Sequence, residues 1–452
     1  MTSSWKSSTV AFYFALVLLF GGASAGGLLA NTVLQLLGAG IVALCLSSYR
    51  PHGASLLRLS AIAFAIFGAL QFLPMPPSVW MNLPGRSTIA NGFELLSVAP
   101  PWLTLSLSPL ISFQSIVWLI PAFAMYIALR SDQAVSPVQI TIIAAVIAIT
   151  GVGLSAMQVL NESLYIYDVT NYGMGVGFFA NANHQGNFLL TVLVLTVATV
   201  ANTRKVSTGD TRVALRLTSG GIAFLLILGI VLSNSLACLG LLVATMVALV
   251  FLLQPQLRFK RTPVVFGSIG VAILLLLLAL YGPSNDLTQA QSGDTLNRRA
   301  FFANGWDIAL AHAPVGSGVG TFAAIYRTFE EPEQVTNFFV NHAHNDYLEL
   351  LIEGGIFAFV PILLFLLWFT RSAFSLWRTA RDRPYKLAGT IIVGIELLHS
   401  LVDYPLRTAA LSTMLVVGIC LMLSDRQEGR RAPRTRHTKA RANPNKEDLV
   451  RL

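Results

Sequence analysis

Long apolar runs dominate this sequence. Of its 452 residues, 54% are hydrophobic and only 11% are charged. The apolar residues come in runs of about 17 to 22, long enough for a helix to cross a hydrocarbon core of about 30 Å with its backbone hydrogen bonds satisfied internally. The sequence therefore predicts an all-α polytopic membrane protein and excludes an ordinary water-soluble domain.

Twelve such runs are the predicted transmembrane helices. A long outer loop, residues 283–344, precedes the tenth. The approximate bounds of the runs are 8–24, 27–48, 56–74, 112–129, 138–158, 185–202, 217–233, 236–254, 263–282, 348–370, 387–402 and 408–424.

The distribution of Lys and Arg predicts the topology. With Lys6 on the cytoplasmic side, the segments on that side hold 25 of the 30 basic residues, and the outer segments hold five. Cytoplasmic segments are enriched in Lys and Arg, so both termini are predicted to be cytoplasmic. An alternative for the first run is a cleavable signal peptide ending near Ala23-Ser24-Ala25, which leaves the later topology unchanged.

Two segments are predicted to extend outside the bilayer. The loop of residues 283–344 belongs to the membrane domain of residues 1–425, is too long for a mere connector and is expected to carry part of a site. The tail, 426–452, holds nine Lys or Arg and few apolar residues, which predicts a disordered cytoplasmic segment attracted to anionic lipid. The net charge of +9 requires no nucleic-acid partner. The three cysteines fall within predicted spans and indicate no disulfide framework.

The densest polar stretch is NHAHNDYLELLIEGG, residues 341–355, directly before an apolar run. Asp346 as N-cap and Glu349 at N3 fit a capping box at a helix start. His342 and His344 then lie in the preceding loop, beside a helix N-terminus where free N–H groups favour anions. This arrangement predicts a functional site at the outer membrane surface.

An earlier helix start is equally compatible with this stretch. His342, Asp346, Glu349 and Glu353 would then share one helix face. The sequence does not choose between the two starts. No third ligand is suitably spaced from the His-x-His pair, so no metal is predicted.

Three further segments place polar groups on the outer face. GFFANANHQGN, which contains Asn183 and His184, either caps a helix or lines a substrate cavity. The segment containing Arg298 and Arg299 leads into GSGVG, a turn that can bring N–H groups close to an anion. In HSLVDYPLR, the simplest interpretation is a surface ion pair between residues 403 and 407. The five basic residues predicted outside are Arg86, Arg298, Arg299, Arg327 and Arg407.

Four segments carry a family resemblance: GFFANANH, NRRAFFANGWDIALAHAPVGSGVGTF, HAHNDYLELLIEGG and HSLVDYPLR. Together they resemble the O-antigen ligase and polymerase family of bacterial inner-membrane glycosyltransferases. QFLPMPPSVWMNLPGR, residues 71–86, is similar to an outer-loop segment of that family, and the resemblance covers about residues 70–410. It implies a GT-C-like fold and transfer of a glycan, with inversion, from an undecaprenyl diphosphate carrier. The implied acceptor is a hydroxyl on lipid A core, a growing glycan or a protein, and no cofactor or metal is implied.

Carried over residue by residue, the resemblance makes His344 the catalytic histidine. One of Arg298 and Arg299 matches an arginine that holds the carrier diphosphate. The remaining expected site residues are Asn345, Arg407, Asp403, Asn183 and His184 as substrate-binding residues, and His342, Asp346 and Glu349 in supporting positions.

The chain departs from the family pattern at three places. Ala358 stands where glycine is usual, Ala182 stands where many members have a basic residue, and Ser235-Leu236-Ala237-Cys238 lacks an expected arginine.

The implied chemistry suits these residue types. A sugar hydroxyl needs a base that titrates near neutrality, and guanidinium groups stabilise a departing diphosphate. The alternative function is a transporter or flippase for a lipid-linked or polar solute. Such carriers place charge at mid-membrane, whereas here only Glu396 lies clearly within a predicted span, which favours chemistry at the outer edge.

Overall fold

The computed structural model describes most of the membrane domain. The predicted span 263–282, apart from Gly270, and the basic tail lie outside the described residues. So do residues 283–292 and 331–339 of the predicted outer loop. The described residues, with the side chains of 2–4 and 293–300 excepted, are 2–51, 54–132, 135–203, 209–254, 270, 293–330 and 340–424.

The described residues fold into helices and one short pair of strands. The first group, in chain order, is α1 (Thr2–Phe20), α2 (Leu29–Leu46), α3 (Ser55–Leu70), β1 (Pro74–Met75), α4 (Pro77–Trp80), α5 (Ser87–Leu95), β2 (Leu103–Thr104), α6 (Pro109–Val117), α7 (Ile120–Leu129) and α8 (Pro137–Leu160). The second group is α9 (Ala182–Thr203), α10 (Asp210–Leu232), α11 (Leu236–Leu253), α12 (Gly293–His312), α13 (Phe322–Phe329), α14 (Asp346–Gly354), α15 (Phe359–Thr379), α16 (Pro384–His399) and α17 (Ala409–Met422).

The predicted all-α membrane architecture is confirmed at this level. Within the described ranges, seven helical segments are long and apolar enough to cross a membrane. Every predicted apolar run other than 263–282 coincides with helix, although the fourth is divided into α6 and α7 and the tenth into α14 and α15. Pro121 lies at the start of α7, where a proline is tolerated because its missing N–H is not needed.

Helix starts follow local sequence signals. Ser136 caps α8 by accepting a hydrogen bond from the backbone N–H of Gln139, whose side chain accepts in return from the Ser136 N–H. This is a reciprocal capping box, and Pro137 occupies the first helical position. Such signals are local, so the sequence alone locates these boundaries.

Helix α9 is the centre of the bundle. It packs against α8, α10, α11 and α16. In the most apolar stretch of α9, 67% of the residues are buried within the protein, against 22% in the corresponding stretch of α10. The polar residues at the start of α9 therefore face other helices rather than lipid.

The segment between α3 and α6 forms a compact unit around the antiparallel pair of β1 and β2. Arg86 is buried within it and donates to the backbone oxygens of Thr104 and Leu105. The indole N–H of Trp80 donates to the oxygen of Pro101 at 2.9 Å. Arg86 therefore holds this unit together.

Helices α12, α13 and α14 share a second core beside the bundle. It is built from Ile308, Phe322, Tyr326, Ala343, Leu348 and Ile352. This core joins the described part of the predicted outer loop to the helix that follows the two histidines.

Candidate functional site

The helix after the histidines begins one residue earlier than predicted. Asn345, not Asp346, is the N-cap: its side-chain oxygen accepts from the backbone N–H groups of Tyr347 and Leu348, both at 3.0 Å. The predicted capping box is therefore wrong, and so is the alternative start that placed His342 on the helix. His342 and His344 both lie in the loop.

His344 has a left-handed backbone conformation, with φ of 50°. Residues other than glycine adopt this region uncommonly, and histidine, asparagine and aspartate do so more often than most. The extended Asn345 follows at once. This pair of conformations turns the chain sharply into α14, and strained backbone of this kind is typical of functional sites.

Hydrogen bonds fix the start of α14 against the end of α16. The hydroxyl of Ser400 donates to Asp346 at 2.8 Å, and the Asp346 N–H donates to the Ser400 carbonyl at 3.0 Å. The side-chain amide of Asn345 donates to the carbonyl of Leu401 at 2.8 Å. Asn345 and Asp346 thus position the histidine loop over the turn between α16 and α17.

His344 lies against Asp403 in that turn. Its Nδ1 is 3.6 Å from Oδ1 of Asp403, whose side chain is fully buried, while the His344 side chain is 21% exposed. Phe301 of α12 stacks on the imidazole with ring centroids 6.1 Å apart, and Tyr404 meets it edge-on at 5.1 Å. The ring is held by aromatic walls and a carboxylate, and one side remains open.

Asp403 also gathers the polar start of α9. Asn183 donates to its Oδ2 at 2.5 Å and Asn181 at 3.4 Å, and Nε2 of His184 lies 3.7 Å from Oδ1. Burial alone would raise the pKa of Asp403, but His184 and His344 hold that pKa well below its usual range. Asp403 is therefore an aspartate that keeps its negative charge.

Asn183 and His184, both expected as substrate-binding residues, differ in their burial. Asn183 is half-buried and binds Asp403, whereas His184 is 1% exposed and lies behind that carboxylate. The turn that lacks the expected arginine lies nearby, since the thiol of Cys238 donates to the Asn183 carbonyl.

A second network holds His342. Its Nδ1 lies 2.8 Å from Oε1 of Glu349, and the Ala343 N–H donates to Oε2 of the same carboxylate at 2.9 Å. Glu349 therefore reaches back from the first turn of α14 to fasten the loop. His342 and His344 are thus held by different acids.

Arg407 joins this second network. Its Nη2 lies 3.0 Å from Glu353 and 3.4 Å from Glu349, and its Nε lies 3.6 Å from Asp346. The predicted surface ion pair with Asp403 is wrong, because Asp403 is buried among histidines and asparagines. Burial disfavours the charged guanidinium, but the three carboxylates raise the pKa of Arg407. Arg407 thus pairs with acids of the protein itself, and its side chain is 21% exposed.

The glycine-rich turn after α12 is a packing element rather than an anion site. Its backbone N–H groups are used internally: Ser317 donates to Ile352, Gly318 to Glu353 and Val319 to the side chain of Gln71. Gly318 has φ of 115°, and a Cβ there would collide with Ser106. The expected approach of these N–H groups to an anion is therefore wrong, and the turn clamps the β1–β2 unit to α14.

Arg298 and Arg299 both belong to α12, the helix that supplies Phe301. Sequence analysis missed Phe301 and Tyr404 as parts of the site. For Tyr404 a signal existed, because it follows Asp403 directly in one of the motifs; for Phe301 no local signal existed beyond its place after the two arginines.

Comparisons with known proteins locate a family within this architecture. Residues 221–363 match the family model described as O-antigen ligase. That range runs from α10 through the glycine-rich turn and the histidine loop into α15. No curated protein matches the chain significantly. The resemblance seen in the motifs is thereby confirmed over residues 221–363, which are similar to the O-antigen ligase family.

Proposed function

We propose that this protein transfers a glycan from an undecaprenyl diphosphate carrier to an acceptor hydroxyl at the outer face of the bacterial inner membrane. The acceptor class is lipid A core, a growing polysaccharide or a protein. The observation that carries the proposal is His344, partly exposed and 3.6 Å from the buried carboxylate of Asp403, within the segment that matches the ligase family.

His344 is the general base of the proposed reaction. An imidazole removes the proton of a sugar hydroxyl as the oxygen attacks the anomeric carbon, and a positioned base typically contributes about 10² to 10⁴ in rate. Asp403 stabilises the imidazolium that forms, because its charge lies beside Nδ1. Attack from the face opposite the diphosphate gives inversion.

Helix periodicity favours Arg298 as the residue that binds the carrier diphosphate. The inward face of α12 carries Phe301, Gly305, Ile308 and His312, whereas Phe302 and Trp306 are exposed. Position 298 is three residues before Phe301 and shares its face, and position 299 is three residues before Phe302. A guanidinium offers a diphosphate paired, charge-assisted hydrogen bonds, which lets leaving-group charge be stabilised without a metal.

The proposed topology follows the charge distribution. Twelve spans in a GT-C-like arrangement place both termini in the cytoplasm and the histidine loop outside, with residues 1–425 as one membrane domain. The basic tail, 426–452, lies against the inner leaflet. The carrier lipid then reaches the site from the bilayer, while the acceptor reaches it from the aqueous side.

One observation favours the transporter alternative. Glu396 is fully buried in α16, where Asn187 donates to its Oε2 at 2.7 Å, and an intramembrane acid is often part of a transport pathway. Transport and transfer differ in their products, because only transfer creates a new glycosidic bond.

The decisive experiment uses the purified full-length protein in nanodiscs with undecaprenyl diphosphate glycan and separate acceptor classes. Mass analysis that finds acceptor carrying the glycan, together with free undecaprenyl diphosphate, supports transfer and identifies the acceptor. The matched control is His344→Asn, which retains a residue tolerated in the left-handed region but has no titratable ring. Unchanged substrates from an intact protein, or equal product from the variant, would contradict the proposal.

A further inference from the structure

Two histidines approach one oxygen of Asp403. Nδ1 of His344 lies 3.6 Å from Oδ1, and Nε2 of His184 lies 3.7 Å from the same atom. His344 is 21% exposed, whereas His184 is 1% exposed. The buried imidazole therefore acts on the site through the groups that it shares with His344, which are the carboxylate of Asp403 and the ring of Tyr404.

The rest of Asp403 is fully engaged. Its Oδ2 accepts from Asn183 and Asn181, and its Oδ1 also accepts from the backbone N–H of Tyr404 at 2.9 Å. These bonds fix the carboxylate in place. Its single negative charge is left to stabilise whichever of the two imidazoles holds a proton.

The groups around His184 come from several elements. Tyr404 meets its ring edge-on at 4.9 Å, and the ring of His399 on α16 lies 6.4 Å away. One turn further along α9, Asn187 binds Glu396 of α16, and Cys238 of α11 contacts the Asn183 carbonyl. His184 itself lies in the first turn of α9, where the helix dipole disfavours a positive charge. Asp403, with Oδ1 3.7 Å from Nε2 of His184, favours one.

We propose that His184 is a positioning residue that competes with His344 for the charge of Asp403 and so sets how readily His344 accepts the proton of the acceptor hydroxyl. This rests on the proposed function. In the transfer, the hydroxyl proton moves to His344 as the new oxygen–carbon bond forms. The bond from the anomeric carbon to the diphosphate oxygen breaks with its electron pair on the leaving group, and the proton then passes to water. His184 takes part in no bond change.

The test replaces His184 by glutamine, an amide of similar length that can donate to Asp403 but does not titrate. The charge of Asp403 then acts on His344 alone, so His344 holds a proton to higher pH. The acid limb of the transfer rate against pH should move upward by about half to one unit, since one unit corresponds to about 1.4 kcal/mol. A fall in rate without that shift, or an unchanged profile, would overturn the proposal.

A measurement without substrate separates this inference from the proposed function. In nanodiscs, the ¹⁵N NMR titration of labelled histidines is compared for the wild type, His184→Gln and His344→Asn. Because coupled sites share their titration, loss of either imidazole should raise the titration midpoint of the other. Independent midpoints overturn the proposal even if transfer is observed. Coupled midpoints in a protein that transfers nothing uphold the shared carboxylate and refute the proposed function instead. If His184→Gln does not fold, the titration midpoint of His184 in His344→Asn provides the same test.

Discussion

His342 and Glu349 are joined by an Nδ1–Oε1 distance of 2.8 Å, and this contact ties the first histidine of the loop to α14. The second histidine, His344, has a different partner in Asp403. Although the two imidazoles are two residues apart, one fastens the loop and the other faces the opening. They are therefore expected to respond differently to substitution.

His344→Asn should abolish glycan transfer, with a loss of at least roughly 10² to 10⁴ in rate, because the base is missing. His342→Gln should keep most activity and lower the thermal unfolding temperature, because a buried partner of Glu349 is weakened at a cost of about 1–3 kcal/mol. Transfer assays and unfolding in the same detergent measure both effects. Activity lost in the His342 variant and kept in the His344 variant would make His342 the base.

Arg298→Ala should weaken use of the diphosphate donor far more than Arg299→Ala. The two variants are matched, since they remove the same group from adjacent positions that lie about 100° apart around α12. Donor KM and kcat are measured for each, with Arg298→Lys testing whether charge alone suffices. Equal effects would show that position around the helix does not decide which arginine binds the diphosphate. If neither variant changed donor use, the diphosphate would be bound elsewhere.

Asp403 should still stabilise the protein at pH 5. Its pKa is depressed in the folded protein, so the stability that it contributes is fully present above the unfolded value of about 3.9 and is lost only as the pH falls through the lower folded value. The unfolding temperatures of the wild type and Asp403→Asn are compared between pH 7 and pH 3. Their difference should persist at pH 5 and shrink below about pH 4; a difference that stays constant down to pH 3 would mean that the pKa of Asp403 is not depressed in the folded protein.

Gly318→Ala should destabilise the protein by more than roughly 1 kcal/mol, because alanine disfavours the positive φ and its Cβ would meet Ser106. The control is Gly92→Ala in α5, where a Cβ meets nothing within 4 Å. That change should be neutral or stabilise by about 0.5–1 kcal/mol, as expected for a helical glycine. Comparable losses in both variants would argue against a clamp at Gly318.

Topology is tested with single cysteines in a variant whose three native cysteines are replaced. Thr328→Cys, on the exposed surface of α13, should react with an impermeant reagent added outside intact cells. Thr438→Cys in the basic tail should react only after the membrane is permeabilised. Labelling of residue 438 from outside would overturn the proposed orientation.

The sequence alone determined the class of the protein and the position of most helices. Hydropathy and helix capping are local properties, so the apolar runs and the start of α8 could be read directly. The motifs also indicated the family, because their residues stand close together in the chain. By contrast, the helix start at Asn345 was missed by one residue, since adjacent Asn and Asp compete as caps and only the orientation of their side chains decides.

Only the tertiary structure decided which groups meet. Asp403 pairs with the histidines and Arg407 with the acids of α14, although only four residues separate them in the sequence. Asp403 contacts the start of α9, whereas Arg407 contacts α14. Phe301 stacks on His344 from the other end of the outer loop. The backbone N–H groups of the glycine-rich turn donate hydrogen bonds to α14 and Gln71. These contacts connect distant parts of the chain, so their energies depend on how whole helices pack and leave no pattern in the local sequence.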